Sequence, residues 1–174
     1  MKIQYSLTLI ASVALAIMSC RKTDKIEDNK LTNNSESAGK EVKGSGWISA
    51  TGWQPLLTKN SFVNYFVISD SNITPAIAIK GLVVVFKKIG NTINTLPFEE
   101  TAEGKKISWI YQVNKNGVSI SKEGSSDFTT KNNNDTFFYY VIPEESLNIL
   151  LNRGYPREKL IQLSFMNMTA LLKL

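Results

Sequence analysis

Cysteine and histidine, the side chains that most often carry nucleophilic and acid–base chemistry, are almost missing from this sequence. Its 174 residues contain one cysteine, Cys20, and no histidine. Without imidazole, the chain cannot use Ser-His-Asp or Cys-His catalysis, and it lacks the commonest zinc ligand. The residues after Cys20 have neither a thiol nucleophile nor a disulfide. Carboxylate chemistry, a hard-metal site built from oxygen ligands, and binding alone remain open.

The densest acidic group is Glu99 and Glu100 with Glu103. These carboxylates could hold Ca²⁺, or they could supply the pair that hydrolyses a glycosidic bond. Two lysines follow closely, which favours a solvated charged turn instead. A second polar group, residues 132–135, lacks the spaced aspartates and the glycine of a calcium loop and is more typical of a polar hairpin tip. We therefore predict no enzymatic activity, no metal and no cofactor.

Aromatic side chains offer another kind of site. Trp47, Trp53 and Trp109 could form a platform on which a sugar ring stacks, because an indole combines an apolar face with a polar edge. Packing in the core is the competing interpretation, and we favour it for most of the aromatic residues. Trp53 is the tryptophan to examine first, because a glycine and a proline nearby indicate a loop.

The first twenty residues have the layout of a secretory signal that ends in a lipidation site. Lys2 precedes an apolar run over residues 7–18, which is shorter than the roughly 20 residues that span a bilayer. The sequence Ile17-Met18-Ser19-Cys20 resembles the bacterial lipobox. The resemblance implies cleavage before Cys20 and acyl chains, such as palmitate, on its thiol. The alternative is an ordinary secreted protein with an incidental cysteine at the cleavage point.

A polar segment follows the cysteine. Residues 21–45 are mixed in charge and have no aromatic residue, so they cannot bury enough apolar surface to offset the entropy of ordering. We predict a flexible tether here. Arg21 and Lys22 stand where Bacteroidota surface lipoproteins often carry an acidic export signal, which leaves the membrane face undecided. The chain thus divides into a signal peptide (1–19), a lipidated cysteine with its tether (20–45) and one β-rich domain (46–174).

The formal net charge is +5, which is mildly basic. The basic residues are scattered along the chain, Lys87, Lys88 and Lys122 among them, and they form no dense stripe. We interpret them as a solvated surface, and we do not expect nucleic acid as a partner.

From residue 46 onward the pattern predicts an antiparallel β domain. Runs of aromatic and β-branched residues alternate with turn residues. Asn116-Gly117 supplies the positive φ that a tight hairpin needs. Thr74 and Pro75 predict the start of a short helix that ends before Gly81. The predicted strands are 47–50, 53–57, 62–68, 82–89, 92–96, 106–113, 118–121 and 136–142, with an edge piece at 127–130.

After Pro143 the pattern becomes helical. Two glutamates in a first turn and leucines at helical spacing predict a helix that ends near Gly154. A second helix over residues 164–174 carries Phe165 and Met168, which can pack under the sheet. The predicted fold class is mainly β with α+β character at the C-terminus. It is an antiparallel β-sandwich-like domain with one short internal helix and C-terminal helical segments.

Several hydrophobic patterns occur in a fixed order along the domain. They are Trp47 and Trp53, ITPAI at 73–77, GLVVVF at 81–86, LPF at 96–98, GVSI at 117–120, FYYVIP at 138–143 and LSF at 163–165. In this order the chain resembles the C-terminal β-rich domain of uncharacterised Bacteroidota lipoproteins, some of which carry collagen-like repeats. It departs from them by having no Gly-X-Y repeats and a longer helical stretch near 144–152. The resemblance implies a lipid-anchored domain at the outer membrane of a Gram-negative envelope, and it transfers no catalytic residue.

These observations support one main hypothesis and two others. We expect a lipid-anchored cell-envelope protein that binds a partner or forms structure and is not an enzyme. Its partners would be the membrane, through acyl chains on Cys20, and a glycan or protein of the envelope. The alternative is a carbohydrate-binding module of a glycan-uptake system with a ligand platform at Trp53, Trp47 and Trp109. A carboxylate hydrolase is the third hypothesis.

Overall fold

The computed structural model describes residues 41–57, 61–102, 104–124 and 135–173. The predicted signal peptide, Cys20, the tether up to residue 40, the edge piece at 127–130 and residues 131–134 lie outside this part. In chain order the described elements are β1 (Lys43–Gly44), β2 (Ile48–Ser49), β3 (Gln54–Leu57), β4 (Phe62–Ser69), α1 (Pro75–Lys80), β5 (Leu82–Ile89), β6 (Thr92–Thr95), β7 (Phe98–Ala102), β8 (Lys105–Asn114), β9 (Gly117–Gly124), β10 (Thr136–Ile142), α2 (Glu144–Asn152), α3 (Arg157–Leu160) and α4 (Phe165–Leu172).

The strands form two antiparallel sheets. The first sheet has the order β1-β10-β5-β6, and β2 also pairs with β10. The second sheet has the order β3-β4-β9-β8-β7. In the first sheet Phe137 lies opposite Lys87, and in the second Trp109 lies opposite Lys122. This architecture confirms the predicted fold class, a mainly β, sandwich-like domain with short helices.

The two sheets share one hydrophobic core. Side chains alternate between the two faces of a strand, so every second residue of β5 and β9 points into the sandwich. Val83 and Val85 from β5 pack there with Val118 and Ile120 from β9. The Tyr111 hydroxyl donates a hydrogen bond of 2.8 Å to the carbonyl of Val83, which joins the sheets directly.

The C-terminal helices cover the other face of the first sheet. Val84 and Phe86, the outward residues of β5, pack with Leu147 and Leu150 of α2 and with Met168 of α4. The described part of the domain therefore has three layers, with the first sheet in the middle. Among the described helices, none has the length and apolar character required to cross a membrane.

The short helix α1 has the bounds that the sequence predicts. The Thr74 hydroxyl accepts a hydrogen bond of 3.3 Å from the backbone N–H of Ile77, and Pro75 occupies the first helical position. Helix α2 also begins directly after Pro143, and Gly154, with φ 84°, follows its end. Helix α3 was not predicted, since four residues carry too little periodicity to recognise.

The hairpin between β8 and β9 is present, and the Asn116-Gly117 pair supplies its positive φ as predicted. The positive φ, 69°, belongs to Asn116, and Gly117 has no positive φ. A Cβ at Gly117 would lie 2.2 Å from the carbonyl oxygen of Ile68. Glycine is needed at this position because the neighbouring strand passes so closely.

Two further differences concern strand limits. The acidic group was predicted to be a loop, but Glu99 and Glu100 lie within strand β7. The first sheet also begins at Lys43, before the predicted domain boundary at residue 46, because Lys43 and Gly44 pair with Val141 and Tyr140. Both short elements depend on pairing, β7 with the adjacent β8 and β1 with the distant β10, and their own residues do not indicate a strand.

Candidate functional site

Two lysines are buried between the sheets. Lys87 of β5 is 4% exposed and Lys122 of β9 is 1% exposed. Lys87 continues the inward series of Val83 and Val85, and Lys122 continues that of Val118 and Ile120. The prediction that these lysines belong to a solvated surface is therefore wrong. Burying an ammonium group is costly unless it is paired, so the partners of these lysines define the site.

Two carboxylates neutralise the lysines. Asp135, which directly precedes β10, places Oδ1 at 3.3 Å from Lys87 Nζ and Oδ2 at 3.4 Å from Lys122 Nζ. Glu100 of β7 places Oε1 at 3.3 Å from Lys87 Nζ. Two positive and two negative groups thus meet at one point. We call Lys87, Lys122, Asp135 and Glu100 the ionic cluster.

Two indole rings form walls of the ionic cluster. Lys87 Nζ lies 3.9 Å from the ring centroid of Trp109, and Lys122 Nζ lies 4.2 Å from that of Trp53. At these distances the negative face of an indole attracts an ammonium group. The Trp109 indole N–H also donates a hydrogen bond of 2.7 Å to Glu100 Oε1. Trp53 Nε1 is buried and has no hydrogen-bond partner among the described residues.

The environment changes the acidity of Lys122. Burial lowers the pKa of this ammonium group, because removing a charge from water disfavours the charged form, and the positive charge of Lys87 acts in the same direction. The charge of Asp135 and its hydrogen bond offset part of this effect. The net result is a pKa below the ordinary value, so the neutral amine is more accessible here than on the surface.

The three tryptophans predicted as a ligand platform do not lie together. Trp53 and Trp109 meet inside the sandwich with ring centroids 5.9 Å apart and planes at 70°. Trp109 is 2% exposed, so a sugar ring cannot stack on it. Trp47 lies on the helix-covered side of the first sheet against Phe138 and Phe165, and it is 41% exposed. A flat row of exposed tryptophans is thus not formed, and only Trp47 offers substantial surface.

The acidic residues of β7 point to opposite faces of the second sheet. Glu100 points inward, whereas Glu99 forms a 2.7 Å ion pair with Lys106 on the outer face. The hydrogen bond from Lys106 lowers the pKa of Glu99. Neighbouring residues of a strand cannot face one sugar from the same side, so this pair does not fit a glycosidase. Glu103 lies outside the described residues, within which no group of three or more potential ligand side chains converges as a metal site.

A second polar group lies near the turn between β8 and β9. The Tyr139 hydroxyl donates a hydrogen bond of 2.7 Å to Asp70 Oδ2, and the Asn72 backbone N–H donates one of 2.8 Å to Oδ1. Burial raises the pKa of Tyr139 most, and the hydrogen bond with Asp70 and the negative charge of Asp70 raise it further. Burial alone would raise the pKa of Asp70, but the hydrogen bonds outweigh it and the pKa is lowered. A surface cavity of about 330 Å³ is lined by these three residues and Lys43.

Inspection of the sequence alone missed the ionic cluster, although one signal was available. In both β5 and β9 a lysine continues a series of apolar residues at alternate positions, which indicates burial by strand periodicity. Their carboxylate partners, Glu100 and Asp135, lie in a predicted loop and a predicted hairpin tip. The sequence therefore did not indicate that these side chains point inward. Comparison of the chain with family models, with curated proteins and with solved structures finds no significant match.

Proposed function

We propose that this chain is a lipid-anchored protein of the cell envelope whose β domain is a non-enzymatic binding or structural module. The observation that carries the proposal is the sequence Ile17-Met18-Ser19-Cys20 after a short apolar run. Two or three acyl chains on Cys20 would give stable attachment, since each buried CH₂ contributes about 0.8 kcal/mol and one chain alone binds only marginally. The resemblance to Bacteroidota lipoproteins supports the outer membrane as the location.

The structure of the domain supports the modular, non-enzymatic part of the proposal. Its densest group of charges points into the sandwich, where each lysine contacts a carboxylate. Charges that pair with one another inside a core do not face a substrate. The partners proposed for the module are the membrane, through Cys20, and a glycan or protein of the envelope.

Replacement of the cysteine tests the anchor. We expect wild-type chain to sediment with membranes and to incorporate an alkyne-tagged palmitate in a bacterial host. Cys20→Ser should abolish both, whereas Ser19→Ala, which keeps a small residue before the cut, should preserve both. Membrane sedimentation of Cys20→Ser, or wild-type chain without label, would contradict the proposal.

A carbohydrate-binding module is the second candidate, and Trp47 is the observation that favours it. Its ring is exposed, and Lys88 Nζ lies 6.0 Å from the ring centroid. An indole beside a hydrogen-bond donor suits the apolar face and hydroxyl rim of a sugar. On a glycan array, we expect Trp47→Ala to lose the signals that the wild-type chain shows. Met166→Ala, a change at another exposed apolar residue, should retain them. Equal signals from the two variants would exclude Trp47 as the binding residue.

A further inference from the structure

We propose that the ionic cluster forms a covalent cross-link, an amide bond between the side chains of Lys87 and Asp135. Lys87 Nζ lies 3.3 Å from Asp135 Oδ1. Lys87 lies in β5, and Asp135 directly precedes the neighbouring strand β10, in which Phe137 is the register partner of Lys87 and Thr136 that of Lys88. The backbone therefore holds the amine and the carboxyl group in contact. Two groups held in this way can react as if one were present at an effective concentration of about 10⁵ M or more.

The reaction needs an uncharged amine on Lys87 and a protonated carboxyl group on Asp135. Lys87 is buried beside the Trp109 ring, and Phe137 packs in the same core. Transfer of one proton from the Lys87 ammonium group to the Asp135 carboxylate, across the 3.3 Å that separates Nζ from Oδ1, produces both forms at once. The products are a nucleophilic amine and a carboxylic acid whose carbonyl carbon is open to attack.

Glu100 is placed to carry the proton. Its Oε1 lies 3.3 Å from Lys87 Nζ, and the Trp109 indole N–H holds the same oxygen at 2.7 Å. A carboxylate fixed beside the attacking nitrogen can accept its proton and return it to the leaving oxygen. Lys122 Nζ, at 3.4 Å from Asp135 Oδ2, can stabilise the negative charge that develops on the carboxyl oxygen during attack.

The reaction balances without any further reactant. The neutral amine of Lys87 attacks Cγ of protonated Asp135, and a C–N bond forms. Glu100 removes the second proton from nitrogen and delivers it to the hydroxyl group on Cγ. The C–O bond breaks, one water molecule leaves, and Glu100 is again a carboxylate. The event is a single self-modification that regenerates no free Lys87, so it differs from enzymatic turnover.

The cross-link would give the domain a covalent closure that it cannot obtain from a disulfide. Cys20 is the single cysteine, so the domain has no disulfide to close its fold covalently. An amide between β5 and the start of β10 would tie together the two longest strands of the first sheet and enclose β6 to β9 within one covalent loop. Small exported domains commonly depend on disulfides for covalent closure of this kind.

Peptide mapping by mass spectrometry tests the proposal. Full-length protein is purified, denatured and digested, and we expect one peptide that joins the Lys87 and Asp135 segments and weighs one water less than their sum. Fragment ions should place the amide on these two residues. Finding only the two separate peptides would overturn the proposal, and a bond on Lys122 would overturn the assignment to Lys87.

Three variants sharpen the test. Lys87→Arg should show no joined peptide, while Lys88→Arg, a change at the exposed neighbouring residue, should show it in full. Glu100→Gln keeps the side-chain shape but cannot carry the proton, so the linked fraction after equal time should fall by at least about tenfold. Full linkage in Glu100→Gln would overturn the role of Glu100. The wild-type measurement decides the existence of the bond even if a variant folds poorly.

Discussion

The two faces of the first sheet are packed in different ways. Toward the second sheet, the core ends in the ionic cluster and its indole walls. Toward the helices, the buried side chains are all apolar, with Val84 and Phe86 against Leu147, Leu150 and Met168. Strand β5 contributes to both, so one sequence of alternating residues builds two kinds of core. The stability of an apolar core depends on how well its volume is filled, whereas the stability of a charged core depends on keeping every ion-pair partner.

The largest effect is expected from Asp135→Ala, which removes the carboxyl group that Lys87 and Lys122 share and, with it, the proposed amide. The free energy of unfolding should fall by about 3–5 kcal/mol, the usual cost of removing one partner from a buried ion pair. Glu144→Ala is the matched control, because the Glu144–Lys80 pair at 3.5 Å is exposed, and such pairs contribute about 0–1 kcal/mol. Urea unfolding measures both. Equal losses of unfolding free energy in Asp135→Ala and Glu144→Ala would show that Asp135 contributes no more to stability than an exposed ion-pair partner does.

In the apolar core, Leu150→Ala should cost about 2–5 kcal/mol, because it removes buried methyl groups and leaves a cavity. Ile149→Ala on the same helix is the control. Ile149 is half exposed, so its truncation should cost clearly less. The same urea titration compares them, and similar losses would contradict the assignment of Leu150 to the core.

Near the turn between β8 and β9, Gly117→Ala should cost about 1–3 kcal/mol through steric strain. Its new Cβ would lie 2.2 Å from the backbone oxygen of Ile68, which cannot rotate away. Gly44→Ala is the control, since its nearest neighbour is a Phe138 ring atom at 2.8 Å that a small ring movement relieves. Melting temperatures should fall further for Gly117→Ala. The reverse order would show that the strand pair can separate to admit a methyl group.

The smallest effect is a difference in pH dependence. The lowered pKa of Lys122 makes its contribution to stability fully present above 10.5 and lost as pH falls through the folded pKa. Tyr139 has the opposite sign, because its raised pKa makes its contribution complete below 10.0 and lost as pH rises. The two trends partly cancel in wild-type protein at alkaline pH.

Lys122→Met should remove one of these trends. Between about pH 9 and pH 11 the variant should lose stability more steeply than wild-type protein, since the Tyr139 loss is no longer offset. Leu150→Ala, which changes the apolar core, should keep the wild-type slope. Parallel slopes for Lys122→Met and wild-type protein would show that folding does not lower the pKa of Lys122.

Much of the secondary structure could be predicted because its signals are local. The predicted bounds of α1, β5 and β10 agree with the structure, since proline, glycine and unbroken apolar runs mark their ends. Strand β7 could not be recognised, because its sequence FEETA is polar and becomes a strand only by pairing with β8. Edge strands of this kind depend on their neighbour more than on their own residues.

The candidate site was harder to predict than the fold. Lys87 and Glu100 are 13 residues apart in the chain and lie in different sheets, yet they meet at 3.3 Å. A lysine in an apolar series can either extend to solvent or remain buried, and the choice depends on whether a carboxylate reaches it. The predicted tryptophan platform failed to assemble for a related reason, since Trp47 and Trp109 lie in separate cores.

By itself, the sequence determined the absence of histidine chemistry and of disulfides, the mainly β class, and the order of most strands and helices. These properties follow from composition and from short-range periodicity, which every residue carries with it. Only the tertiary structure decided that two lysines, an aspartate and a glutamate share one buried point between indole rings. The reason is physical: the free energy of a buried charge depends on partners brought from distant strands, and no local pattern specifies them.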